Sequence, residues 1–205
     1  FQIRGKKIKM KKNIFTTSIY RSKNYNPSYN EIVLNELDQL KKINKGSCRS
    51  NRGGFQSYEI ENIKILEETY SMVITHLENY LSCFEEVENK IKVKLINCWI
   101  NENYKHSYNI PHVHPDCTFS GVFYLKTNLN CGKIEFHNGN SIIDFNTKYV
   151  ELFPNSSDFH SIYSLLPTNN DLILFPSYLK HGVLENLSDE PRVSISFNLN
   201  VNKHG

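Results

Sequence analysis

A mainly β fold of the jelly-roll type, with helices packed on its outside, is predicted by three observations on this 205-residue sequence. Helical periodicity gives way to alternation near residue 92. Beyond that point the extended segments are short, follow one another without helices, and are separated by turn formers such as Asn130-Cys131-Gly132 and Asn138-Gly139. The last segment alternates completely between apolar and polar residues. Runs of short strands of this kind favour antiparallel sheets folded onto each other over a parallel sheet.

Taken in order, Asn26-Pro27-Ser28 supplies a helix start, after which Ile32, Val33, Leu37, Leu40 and Ile43 recur at spacings of three and four until Gly46. A longer amphipathic helix is expected from about Ile63 to Phe84, with Leu66, Tyr70, Val73, Leu77, Tyr80 and Leu81 on the same stripe. Such a stripe suits a helix that covers a sheet. Extended segments are expected at Ile91 to Asn101, Thr118 to Lys126, Lys133 to His137, Tyr149 to Phe153, Asp171 to Phe175 and Val193 to Val201. In the last of these Val193, Ile195, Phe197, Leu199 and Val201 share one face, and Arg192, Ser194, Ser196, Asn198 and Asn200 share the other. A wholly polar face borders water or lines a polar cavity, and a guanidinium beside a row of hydroxyls and amides fits a cavity that holds an anion. The aromatics Trp99, Phe119, Phe123, Phe136 and Phe197 are expected to fill the barrel core. The reading is one domain over 1–205, helical from about 14 to 90, with a jelly-roll core from 91 to 201.

Composition sets further bounds. Twenty-four basic and 21 acidic residues leave a net charge of +3, which indicates neither nucleic acid nor a membrane as partner. The basic cluster Lys6, Lys7, Lys9, Lys11 and Lys12 reads as a solvated end of the chain. Five cysteines, odd in number and without a Cys-x-x-Cys pair, point to a reducing compartment. With no apolar run near 18 residues and no charged-then-apolar opening, the expectation is a soluble, cytoplasmic protein. Oligomeric state is not legible.

The chemistry-bearing residues concentrate in the C-terminal half. His112 and His114 stand two apart, a spacing that turns both rings to one side of an extended chain. His181 follows far downstream and Arg192 eleven residues after it. Three imidazoles fill one face of an octahedral iron(II) and leave three positions for a bidentate keto acid and dioxygen. The rigid fork of Arg192, with the Ser194 hydroxyl two residues on, matches the far carboxylate of 2-oxoglutarate.

Here the sequence resembles the iron(II)- and 2-oxoglutarate-dependent oxygenases, whose pattern is His-x-Asp, a distal His, and Arg-x-Ser near the end of a double-stranded β-helix (jelly roll, cupin-like). More closely it resembles a bacterial and phage group of such oxygenases. The stretches that carry the resemblance are Ser50 to Ser57, Trp99-Ile100-Asn101, His112 to Pro115, Ser120 to Tyr124, Leu174 to His181 and Arg192 to Asn198. The resemblance covers about residues 14 to 201. The resemblance implies an Fe(II)- and 2-oxoglutarate-dependent dioxygenase that hydroxylates an unidentified acceptor and converts 2-oxoglutarate and O2 to succinate and CO2. It implies metal ligation by His112, His114 and His181, and cosubstrate binding by Arg192, Ser194 and Tyr124.

The sequence departs from the superfamily at one position: His114 stands where the carboxylate ligand belongs. Family spacing assigns the ligand to His114; Asp116 is the alternative if Pro115 bends the chain. Two other functions stay open, a three-His cupin-type metalloenzyme that does not use 2-oxoglutarate and a non-catalytic, phage-associated jelly-roll binding module. Asn101 and Asn109 are secondary pocket candidates and His106 a spare ligand, whereas His76, His137, His160 and His204 read as structural or solvated. Cys117 lies close enough to the proposed metal to be a candidate for oxidation.

Overall fold

In the computed structural model, which describes residues 16–84, 91–139, 151–152 and 160–203, the chain enters through strand β1 (Tyr20–Lys23) and helix α1 (Pro27–Ile43). Asn26 starts this helix: its side-chain oxygen accepts from the Tyr29 N–H at 3.1 Å, with Pro27 at the first helical position. Lys41 and Lys42 complement the C-terminal dipole, and the chain leaves through an extended Asn44 and a left-handed Gly46. Two short strands follow, β2 (Asn51–Arg52) and β3 (Phe55–Gln56), and then α2 (Ile63–Leu81), capped by Asn62. The periodic stripe runs to Phe84, yet the helix stops at Leu81. Cys83 and Phe84 donate to carbonyls three residues back instead of four, so the last turn tightens and ends.

The remaining elements are β4 (Ile91–Asn103), β5 (Tyr108–His112), β6 (Phe119–Lys126), β7 (Ile134–His137), β8 (Ile162–Leu165), β9 (Asp171–Pro176), β10 (His181–Val183) and β11 (Arg192–Lys203). They pair antiparallel in two sheets, one ordered β1-β9-β6-β11-β4-β3 and the other β2-β5-β10-β7-β8. This is the jelly roll that the alternation predicts. Of the expected strand 149–153 only residues 151–152 are described, and these are helical. The basic cluster at Lys6 to Lys12 and His204 lie outside the described residues.

The complete alternation of β11 resolves into two environments. Val193, Ile195, Phe197 and Leu199 face outward from the sheet sandwich and pack with Val33 and Leu37 of α1 and Ile65, Val73 and Leu77 of α2. Each of these side chains is at most 2% exposed, and full burial of such a group stabilises by about 1.5–3 kcal/mol. The polar face of β11 points between the sheets. A smaller apolar cluster, including Val122, Ile134, Phe136, Ile173 and Phe175, fills part of that interior.

The expectation for the aromatics is therefore corrected. Phe119, Phe123 and Phe197 belong to the helix-covered core, and Phe136 to the space between the sheets. Trp99 lines a pocket. The helix-covered cluster is the larger of the two, and polar groups share the space between the sheets with the smaller one.

No described helix is long and apolar enough to cross a membrane. All five cysteines are free.

Candidate metal centre

His112 closes β5 and His181 opens β10, and the register sets them directly opposite each other. His114 lies just past the strand end, where its N–H donates to the Ser177 carbonyl at 3.0 Å and ties the segment to the loop before β10. Ring centroids are 4.5 Å apart for His112 and His181, 4.9 Å for His112 and His114, and 5.1 Å for His114 and His181. One nitrogen from each ring lies within 4.8 Å of the others, a spacing that small rotations close onto one ion at bonds of ~2 Å.

The protonation state of the cluster suits a cation. Nδ1 of His112 donates to the Ile110 carbonyl and Nδ1 of His181 to the Leu179 carbonyl, both at 2.8 Å, which leaves each Nε2 lone pair free. Burial lowers the pKa of His112. It pushes His114 down to about 4, with repulsion from His112 adding, and His181 down to about 3, with repulsion from its two neighbours adding. Neutral imidazole is the ligating form.

Asp116 is exposed, holds a left-handed backbone (φ 63°) and lies outside the cluster. Among the described residues, no carboxylate joins the three rings. His106 is exposed and bonds Glu185 at 2.5 Å, and His76 sits on α2 against the Tyr20 hydroxyl; neither approaches the cluster. Burial, with help from Asp116, pushes the Cys117 thiol up, so it is less readily ionised than an ordinary cysteine.

The three histidines border a cavity of about 50 Å³ between the sheets, room for a few waters. Arg192, Ser194 and Ser196 line it from β11, Tyr124 from β6, Trp99, Asn101 and Asn103 from β4, and Asn109 from β5. Ser194 pairs in register with Tyr124 on one side and Asn101 on the other, so three strands converge on this wall.

Arg192 is only 1% exposed. Its Nη1 donates to the Cys131 carbonyl and, at 3.5 Å, to that of Gly132, while Nη2 is buried without a partner. A buried guanidinium with a free edge is a site for an anion, since leaving it unmatched costs free energy. Burial raises the Tyr124 pKa and keeps the phenol protonated, a hydrogen-bond donor facing the same cavity. Among the described residues, none that lines the pocket is Asp or Glu.

Sequence reasoning does not reach Cys131 and Gly132. They act through backbone carbonyls, and only Gly132 leaves a signal: its left-handed φ of 84° and a site where a Cβ would lie 2.2 Å from the Leu184 oxygen.

A family model described as "Putative 2OG-Fe(II) oxygenase" matches residues 97–198. Comparison with curated proteins by sequence gives no match. Among solved structures, the chain is similar to a prolyl-4-hydroxylase from Pseudomonas putida, with 11% identity over 93% of this chain and 95% of that one (TM-score 0.59). It is also similar to a Trichoplax adhaerens prolyl hydroxylase in complex with a hypoxia inducible factor peptide fragment (16% identity, 90% and 84% covered, TM-score 0.60). A third is HygX from Streptomyces hygroscopicus with nickel and 2-oxoglutarate bound (14% identity, 90% and 83% covered, TM-score 0.56). At such identities the likeness establishes a shared fold.

Proposed function

Because the part of this chain from residue 97 to 198 belongs to the 2OG-Fe(II) oxygenase family, we propose that the protein is an Fe(II)- and 2-oxoglutarate-dependent dioxygenase that hydroxylates a second substrate. His112, His114 and His181 hold the iron. Arg192, Ser194 and Tyr124 hold the far carboxylate of 2-oxoglutarate. One observation carries the reading: buried Arg192, whose Nη2 has no hydrogen-bond partner, lines the cavity that the three neutral imidazoles border. Bound iron(II) supplies the oxidising chemistry, coupling decarboxylation of 2-oxoglutarate to succinate and CO2 with transfer of one oxygen atom from O2 into a C–H bond.

The protein's share is positioning and charge. Carbonyl anchors on His112 and His181 fix the ligating tautomer in advance. Arg192 is held at one edge by the Cys131 and Gly132 carbonyls, so its free edge is aimed before the keto acid arrives. The Ser194 and Tyr124 hydroxyls flank it as further donors. Withdrawal of these groups from solvent strengthens each contact with the dianion. The five free cysteines fit a reducing cytoplasm, where iron(II) persists.

Anaerobic titration of the protein with iron(II) and 2-oxoglutarate, followed by succinate measurement after oxygen is admitted, tests the proposal. One iron and one keto acid per chain with succinate release supports it; retention of iron by His181→Ala would sink it. That no carboxylate joins the cluster among the described residues also favours a three-His metalloenzyme that does without 2-oxoglutarate. An unchanged reaction rate in Arg192→Ala selects that second reading.

A further inference from the structure

We propose that the acceptor substrate enters beside Trp99 and is recognised by Asn101 as a neutral group bearing an N–H or O–H donor, an amide or an alcohol. This rests on the oxygenase reading above and adds the chemical class of what is oxidised. The cavity has a graded depth. Along the paired β4 and β11, Arg192 and Asn103 are buried at one end, with Ser194 and Tyr124 beside them, whereas Trp99 and Ser196 at the other are partly exposed, as are His112 and His114. With the keto acid anchored at the closed end, the open side lies next to the metal: the Trp99 ring is 5.8 Å from that of His114.

Asn101 sits between the two ends, 5% exposed. Its Nδ2 donates to the Ser196 hydroxyl at 3.2 Å, but its Oδ1 is buried without a donor. The neighbouring amides are committed to one another: Asn103 Nδ2 donates to Asn109 Oδ1 at 3.3 Å, and Asn109 Nδ2 to the Ser50 hydroxyl at 3.2 Å. What this wall offers at Asn101 is therefore a hydrogen-bond acceptor.

2-Oxoglutarate cannot satisfy it, since at neutral pH that dianion carries only acceptor oxygens. A carboxylate on the second substrate would meet the same oxygen with like polarity. An ammonium finds no acidic residue among the described residues of the lining and faces both the metal and Arg192. A neutral donor meets Asn101 Oδ1 while its carbon skeleton lies along the Trp99 ring. A buried acceptor left unpaired then selects against analogues without the donor.

The test uses the full chain loaded with manganese(II) and 2-oxoglutarate, and reads paramagnetic broadening of probe proton signals by NMR. The probes are N-acetylglycinamide and glycerol as neutral donors, and acetate and methylammonium as charged ones. Broadening by the neutral pair, weakened roughly 10-fold or more in Asn101→Leu at unchanged 2-oxoglutarate affinity, is the expected result. Asn101→Asp, the same size, keeps the acceptor and is expected to recruit methylammonium, a switch that a merely structural side chain would not produce. Equal broadening by all four probes, or neutral probes indifferent to both substitutions, overturns the subsite alone. Failure of the unaltered protein to bind manganese and 2-oxoglutarate overturns the oxygenase reading, and the subsite with it.

Discussion

His112 and His181 face each other across the β5–β10 pairing, and each turns its Nδ1 to the carbonyl two residues before it, Ile110 and Leu179. Two strands thus present the same device in mirror order, and both Nε2 atoms are prepared for one ion. The third ring, His114, is steadied by its backbone bond to Ser177 and its contact with Trp99.

Removal of either paired ligand should abolish tight metal binding. His112→Ala and His181→Ala are expected to lose roughly 100-fold or more in manganese(II) affinity, beyond the loss typical of an outer hydrogen-bonding partner. Asp116→Ala should bind normally, because that residue is exposed and outside the cluster. Calorimetric titration of the three variants checks this; a larger loss in Asp116→Ala than in His181→Ala would contradict the assignment.

Arg192→Met should separate stability from binding. The guanidinium is buried with one edge unpartnered, so replacing it by an apolar chain of similar length relieves a desolvation cost. The melting temperature is expected to stay level or rise by a few degrees, while 2-oxoglutarate affinity falls roughly 100-fold or more as a charge-assisted bidentate contact disappears. Thermal denaturation with and without 2-oxoglutarate reads both. A strongly destabilised variant would mean that the bonds to Cys131 and Gly132 outweigh the buried charge.

His114→Asp changes the charge count. With a divalent metal on the three neutral imidazoles, the metal and Arg192 would give the pocket three positive charges that no described lining residue offsets, and the keto acid would supply two negative ones. Metal and 2-oxoglutarate should therefore each tighten the other's binding, and by the same factor. A carboxylate at position 114 takes over part of that role. Manganese should bind His114→Asp more tightly in the absence of 2-oxoglutarate, and the gain on adding it should shrink by roughly 10-fold. Manganese titrations of both proteins, with and without 2-oxoglutarate, decide the matter.

The sequence carries much of this because its signals are periodic or chemically rare. The alternation of β11 separates a helix-facing row from a cavity-facing row, and Arg192, Ser194 and Ser196 do line the cavity. Asn26 caps α1 as its position suggests. The strands that escaped, β1, β2, β3, β8 and β10, are two to four residues long and exist because a partner pairs with them. β5 escaped for a different reason: Pro111 cuts short the alternation of Tyr108-Asn109-Ile110 and falls where the pairing with β10 is irregular. The His-x-His spacing did predict neighbouring rings, although His114 reaches its place beyond the strand end. The carbonyls that aim Arg192 belong to backbone, whose direction no side-chain pattern records.

Asp171 gives a pH dependence whose sign can be worked out. It is buried at the start of β9, where its carboxylate accepts from Arg21 at 2.5 Å and from the Thr168 N–H at 2.6 Å, with Lys23 3.0 Å away, so that β1 is fastened to the sheet edge. Burial alone would raise its pKa, but these partners together outweigh that effect and hold it below the ordinary carboxylate value. A depressed folded pKa means that the unfolded chain takes up the proton first as pH falls. The stabilisation is thus complete above about pH 4, the unfolded value, and is lost below it. Asp171→Asn should cost about 2 kcal/mol at pH 7; Arg21 is more than a third exposed, and solvent screening keeps the figure below that of a fully buried pair. Urea denaturation of both proteins at pH 7 and pH 3 should show the gap narrowing at the lower pH. A gap that widens there would mean that the folded protein, and not the unfolded chain, binds the proton more tightly.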